Sequence, residues 1–308
     1  MSKKEKKRKK KAKKYTERKI ITNKYLENIN GTANFFTGKD EISMMKDDRI
    51  NIQIESNEGK VAHKVSRKIP DILTTLPLLD EGLTRGRERE VNAIHNLTLS
   101  TGKIVLIQGE KGTGKTTFLK MYLHSKRANY QHLAWVDVEE GVSVIKSLAN
   151  HPQLSDSLIL DTDHQFKNEM EETRHFHRVT NMLRKLPGNN LLIIDNAGED
   201  ADQTDVYDYI KLENNWTVLV SSEADNMETF ERYELKPLPE NDLLQVFELN
   251  YYKPIDGQFP LVKEIISLLH KNTGDVVFVA NRASKLRLDL KEIIERIKSS
   301  GLESFKVQ

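Results

Sequence analysis

The chain has 308 residues, enough for one large or two small domains with a packed core. It contains no cysteine, which excludes disulfides, thiol catalysis and cysteine-based zinc sites and suits a reducing cytosol. Its net charge of +2 hides an asymmetry: Met1–Lys14 holds ten Lys or Arg against Glu5, a local +9 that leaves −7 on the remainder.

A like-charged block of this kind repels itself and is expected to be a disordered tail. It is either a solvated tail or a tether for a polyanion such as nucleic acid, held by salt-sensitive contacts. The acidity of the rest argues against a dedicated nucleic-acid groove, and no basic and aromatic residues interleave as a single-strand binder requires. No apolar run approaches the 18 to 20 or so residues of a membrane span, and no signal peptide opens the chain. The expected location is therefore the cytoplasm.

Residues 15–78 are expected to form an N-terminal arm or small β element followed by a connector. Within them Arg49-Ile-Asn-Ile-Gln-Ile-Glu alternates apolar and polar residues, as a half-exposed strand does. Ile69-Pro70 and Leu76-Pro77 punctuate the connector. A helical pattern then runs from near Arg87 to about Leu97.

The run Lys103-Ile-Val-Leu-Ile-Gln-Gly109-Glu-Lys111-Gly112-Thr113-Gly114-Lys115-Thr116-Thr117 carries the strongest chemical signal in the chain. A β-branched strand enters a loop of the form G-x-x-x-x-G-K-[ST] and a helix follows, the context a phosphate-binding loop requires. Gly109 lets the chain leave the strand, and Gly112 and Gly114 permit dihedrals that turn successive N–H groups around a phosphate. Lys115 is expected to reach the β- and γ-phosphates, and the Thr116 hydroxyl to bind Mg²⁺. The helix start adds its positive dipole end.

Beyond this loop, apolar strands and amphipathic helices alternate, which predicts a parallel sheet covered on both faces. Strands are expected at His132–Val138, Leu191–Asp195 and Thr217–Ser222, with helices at Gly141–Asn150 and Lys167–Leu186. Four large aliphatics followed by Asp195 form a Walker B strand, whose carboxylate holds Mg²⁺ directly or through water. In open α/β sheets ligands sit beyond the carboxyl ends of the strands, so Asp195 and Ser221 should share an edge with the phosphate loop. His175 and His177 stand two apart on a predicted helix and do not face each other, which speaks against a metal site. Trp135 and Trp216 lie in apolar strands and belong to the core.

The order of these motifs resembles the NB-ARC (AP-ATPase) branch of the STAND P-loop NTPases, in a shortened bacterial-type form, over residues 80 to 300. Leu83-Thr-Arg-Gly86-Arg87-Glu88 resembles that family's entry motif, which implies an Arg87 near the nucleotide. Leu191-Leu-Ile-Ile-Asp195-Asn196-Ala197 resembles its Walker B, Trp216–Ser222 its sensor strand, and Tyr233–Phe247 its linker into a helical ARC1 subdomain. Ile265–Leu290, centred on Thr273-Gly274-Asp275-Val276, is similar to the region that closes over the base. Three departures stand out: Glu223 where the sensor strand usually continues into arginine, Val276 for a proline, and a chain that stops near the end of the lid. Arg282, in the lid, is either a second sensor reaching the phosphates or a surface ion-pair former.

The expectation is a P-loop α/β domain over residues 79–236 with a helical lid over 237–308. ATP or ADP would be bound with Mg²⁺ through Gly109, Lys111, Gly112, Thr113, Gly114, Lys115, Thr116, Thr117 and Arg87, with Lys115 and Asp195 as the catalytic pair. Asn196 follows Asp195 where hydrolysis would use an acid, and Glu199 and Asp200 could assist only by folding back, so slow or absent hydrolysis is expected. The function implied is a nucleotide switch that signals to a protein partner, or through self-association, by lid closure. The alternatives are an AAA+-like ATPase acting on nucleic-acid complexes and a scaffold with an inactive nucleotide site.

Overall fold

A computed structural model describes residues 41–44, 52–56, 59–61, 69–101, 104–160, 166, 168–198, 201, 204–212, 215–224 and 230–306. The Lys-rich Met1–Lys14 segment, Glu199 and Asp200 lie outside these residues. The chain divides into two units, 1–68 and 69–308. In the first, β1 (Glu41–Met44), β2 (Ile52–Ser56) and β3 (Gly59–Val61) form an antiparallel sheet in that order. β2 falls on the alternating run expected to be a strand.

The second unit is built on a five-stranded sheet. Its strands are β4 (Ile104–Gln108), β5 (His132–Asp137), β6 (Asn190–Asp195), β7 (Trp216–Ser222) and β8 (Glu231–Glu234). They run parallel in the order β5-β6-β7-β4-β8. The aliphatics of β6 show why it lies inside: Leu191, Leu192, Ile193 and Ile194 are each at most 1% exposed. Each contributes at most about 1.5–3 kcal/mol on burial.

Alternate residues of these strands serve two cores, as the period of two demands. On one face Val105, Ile107, Leu133, Trp135, Leu191, Ile193 and Leu219 pack with Val91 and Ile94 of α1 (Glu88–Thr101) and with Phe118, Leu119 and Tyr122 of α2 (Lys115–Lys126). On the other, Leu106, Val136, Leu192, Ile194 and Val220 meet α3 (Val144–Ala149), α4 (Pro152–Ser157), α5 (Glu169–Arg184) and α6 (Thr204–Ile210). Both tryptophans are in the core, and the Trp216 indole N–H donates to the Leu183 carbonyl at 2.9 Å. Asn168 caps α5, accepting from the Glu171 N–H, and Glu169, Glu171 and Glu172 favour its positive end. The segment after Ile69 runs beside β5: the Leu73 and Leu133 N–H groups donate to the Leu133 and Asp71 carbonyls, and Thr74 bonds Trp135.

After β8 the chain becomes helical. α7 (Glu240–Asn250), α8 (Phe259–Leu268), α9 (Thr273–Leu286), α10 (Leu290–Ser300) and α11 (Glu303–Lys306) enclose a core of their own. Leu243, Phe247, Ile265, Val279 and Ile293 are fully buried in it. α10 starts in a reciprocal capping box between Asp289 and Glu292, a device of about 1 kcal/mol. Two findings differ from the sequence reading here. Tyr233 and Glu234, at the start of the expected linker Tyr233–Phe247, belong to the edge strand β8, and helices α4 and α6 have no counterpart in the sequence reading.

Candidate functional site

β4 runs into the glycine loop at the carboxyl edge of the sheet, and each glycine there has a physical reason. A Cβ on Gly109 would lie 2.8 Å from the Leu235 carbonyl, because the chain leaving β8 closes against the loop. Gly112 and Gly114 hold φ of 81° and 93°, in the left-handed region that other residues resist. Gly114 is also the N-cap of α2, and the Phe118 N–H closes the first helical turn on its carbonyl at 2.8 Å. The loop thus delivers Lys115, Thr116 and Thr117 in the first turn of a helix, where free N–H groups and the dipole favour an anion.

Lys115 is only 6% exposed, yet its ammonium is well provided for. Nζ donates to the Gly109 carbonyl at 2.7 Å and the Glu110 carbonyl at 3.1 Å, and lies 3.7 Å from the Glu223 carboxylate. Burial lowers its pKa, an effect that Glu223 and Asp195 only partly offset. Thr113 is buried and braces the loop by donating from Oγ1 to the Glu110 carbonyl at 2.8 Å. Lys111 and Thr117 are exposed.

Asp195 ends β6 with 1% exposure. Burial raises its pKa above the usual carboxylate value. Hydrogen bonds from Ser221, Thr116 and the Asn196 N–H oppose that rise, and the negative charge of Asp137 adds to it. The Thr116 bond joins the two groups proposed to hold Mg²⁺. The donor set fits that ion, which takes one or two protein oxygens and completes its octahedron with phosphate and water. Among the described residues no group of three or more His, Asp or Glu could hold a metal by itself. β7 lies between the phosphate-loop strand and β6, so Ser221 reaches Asp195 from the neighbouring strand.

Some residues take positions that the sequence reading did not specify. Asn196 has a φ of 61°, a left-handed backbone whose N–H donates to Ser221 Oγ at 2.9 Å. Its side-chain amide donates to Asp137 Oδ1 at 2.9 Å. Asp137 is paired in register with Asp195 at the end of the neighbouring strand, so a second carboxylate stands beside the Walker B aspartate. Nothing in the local sequence of β5 marked it.

Arg87 is buried, and it backs the loop. Nη2 donates to the Thr113 carbonyl at 3.2 Å and Nη1 pairs with Glu90 at 2.9 Å. Arg282 donates from Nε to the Phe305 carbonyl at 2.8 Å and so ties α9 to α11. His175 bonds Ser155 and His177 stacks on Tyr209, so neither serves the other as a co-ligand.

The lid meets the loop at the start of α9. The Gly274 N–H donates to the Gly112 carbonyl at 2.8 Å, and Asn272 Nδ2 to the Lys111 carbonyl at 2.7 Å. A Cβ on Gly274 would stand 3.2 Å from the Gly112 Cα, so the two glycines allow backbone to approach backbone. The Thr273-Gly274 region thus contacts the phosphate loop through its backbone and through Asn272.

A parallel sheet of this order, a phosphate loop on β4 and a carboxylate on the next strand but one define the architecture. The fold is that of a P-loop NTPase. Residues 97–233 match the family model described as an AAA domain. That match takes in β4, runs into β8 and contains none of the lid. A search of curated proteins finds no match. Among solved structures the chain is similar to Cdc6p from Pyrobaculum aerophilum, at 11% identity and a TM-score of 0.49 over 68% of this chain and 66% of that one. It is similar to a Walker-type ATPase of Pyrococcus abyssi at 14% identity and TM-score 0.45, over 68% and 70% of the two chains. A STAND protein with a tetratricopeptide repeat sensor from Pyrococcus horikoshii gives 16% and 0.45, over 68% of this chain and 31% of that one.

Proposed function

We propose that this P-loop NTPase is an ADP/ATP switch of the STAND type, which reports its nucleotide state to a protein partner, or to a second copy of itself, through its helical lid. The observation that carries the reading is the pair of hydrogen bonds from Asn272 and Gly274 to the carbonyls of Lys111 and Gly112. Any movement of the phosphate loop on exchange of di- for triphosphate is then felt at the first turn of a lid helix. A ligand shifts such an equilibrium only by its differential affinity for the two states, and the γ-phosphate is the natural discriminator. Lys115 and the α2 N-terminus would hold the phosphates, and Thr116 and Asp195 the Mg²⁺. The absence of an acid at Asn196 supports slow turnover.

The match of residues 97–233 to an AAA domain favours one second reading, an ATPase that remodels nucleic-acid complexes with the Lys-rich tail as tether. Oligomers formed on ATP and steeply salt-dependent polynucleotide binding would mark it.

The first test is the nucleotide released when the purified protein is denatured, with Lys115→Ala as control. Stoichiometric ADP from the wild type alone supports the switch. A wild type that carries none and takes up none added favours an inactive scaffold.

A further inference from the structure

Glu223 directly follows the last residue of β7 and is exposed, which at first sight makes it an ordinary surface glutamate. Both of its neighbours are pinned. Ser222 Oγ donates to the Ala197 carbonyl at 2.7 Å and accepts from the Ala224 N–H at 3.0 Å. The Ala224 carbonyl accepts from Gln108 Nε2 at 3.0 Å, and Gln108 is the residue before Gly109. The backbone at 223 is thereby fastened to the ends of β6 and β4, at the mouth of the phosphate loop. Its carboxylate lies 3.7 Å from Lys115 Nζ, the cation that a phosphate loop turns on the β- and γ-phosphates.

We infer that Glu223 is a specificity-determining residue that makes the site select nucleoside diphosphate over triphosphate. The inference rests on the nucleotide reading above and names the state which that site prefers. Any phosphate oxygen within hydrogen-bond reach of Lys115, about 2.8 Å, lies within roughly 6.5 Å of a carboxylate that is itself 3.7 Å from Nζ. A γ-phosphate adds about one further negative charge there. Coulomb's law at that separation weakens triphosphate binding about threefold at the dielectric of water and about seventyfold at an effective dielectric of 20. Glu223 is half exposed, 55% by side chain, so the effect falls between these limits, at about tenfold. In the diphosphate complex the same carboxylate stays close enough to Lys115 to balance part of its charge.

The test is competitive displacement of a fluorescent ADP analogue from the full chain, in saturating Mg²⁺, by ADP and by the β,γ-imido analogue of ATP. The wild type is expected to prefer ADP by about tenfold. In Glu223→Gln the triphosphate analogue should gain most of that factor while ADP changes by less than about threefold. The wild-type preference should narrow as salt screens the carboxylate. A ratio in Glu223→Gln within twofold of the wild type, or a wild type that prefers the triphosphate, overturns the inference while nucleotide binding stands. A wild type that binds neither nucleotide overturns the nucleotide reading and this inference with it.

Discussion

Asn272 performs two tasks with the two ends of one amide, and two substitutions separate them. Its Oδ1 caps α9, accepting from the Asp275 N–H at 3.1 Å, and its Nδ2 donates to the Lys111 carbonyl at 2.7 Å. Asn272→Ala loses both, about 1 kcal/mol for the cap and about 1 for the loop bond. Asn272→Asp keeps an acceptor at the cap, and its charge suits the helix N-terminus. It loses the donor, however, and sets a carboxylate against a carbonyl. The expected destabilisation is therefore about 2 kcal/mol for Ala and about 1 for Asp, or roughly 4–8 °C and 2–4 °C in melting temperature for a unit of this size. If the loop bond preorganises the phosphate loop, its ~1 kcal/mol appears as about fivefold weaker ADP in both variants. Thermal unfolding and ADP titration of the three proteins measure these quantities separately. ADP affinity equal to wild type in both variants would show that the lid merely rests on the loop, and the proposed route from nucleotide to lid would fail.

Three further outcomes are expected. Asp137→Asn should lower whatever single-turnover ATP hydrolysis the protein performs by about 100-fold and leave ADP affinity intact. Asp137 is the carboxylate that Asn196 holds beside Asp195, and an equal rate in the variant would remove it from the chemistry. Asp195→Asn should abolish the Mg²⁺ dependence of nucleotide affinity yet make the nucleotide-free protein more stable at pH 7. The carboxyl pKa of Asp195 is raised on folding, so its contribution favours the folded state below the unfolded pKa. That contribution is lost as pH rises through the folded value, and denaturant melts across this window should lose that slope in the variant. Phe247→Ala, at a fully buried position in the lid core, should cost about 3–5 kcal/mol, with hydrogen-exchange protection lost first in residues 240–306 and retained in β4–β7.

What could be foreseen from the chain follows from the range over which each feature is determined. The strands β4 to β7 announce themselves because both faces are buried, so every residue in the run must be apolar or paired. β8 does not, because Glu231-Arg-Tyr-Glu234 is an edge strand exposed at every residue but Tyr233, and its pairing to β4 is a backbone matter. The phosphate loop was legible for a similar reason: its glycines, lysine and threonine act within one strand-turn-helix, so their spacing is the mechanism. Asp195 needed only the strand before it. The contacts that decide how the site behaves are of another kind. Asn272 meets Lys111 across 161 positions of sequence, and Asn196 meets Asp137 across 59, and no local pattern pairs either residue with its partner. Glu223 lies between these cases. The sequence showed a carboxylate where the resembling family carries arginine, but only the anchoring of Ser222 and Ala224 places it 3.7 Å from Lys115. On the proposed reading, nucleotide binding is written in a local motif, whereas the proposed choice between di- and triphosphate and its proposed transmission to the lid would rest on a few long-range polar contacts. Substitution at Glu223 should therefore change the choice of nucleotide while ADP affinity moves by less than about threefold, and substitution at Asn272 should weaken ADP about fivefold without abolishing binding.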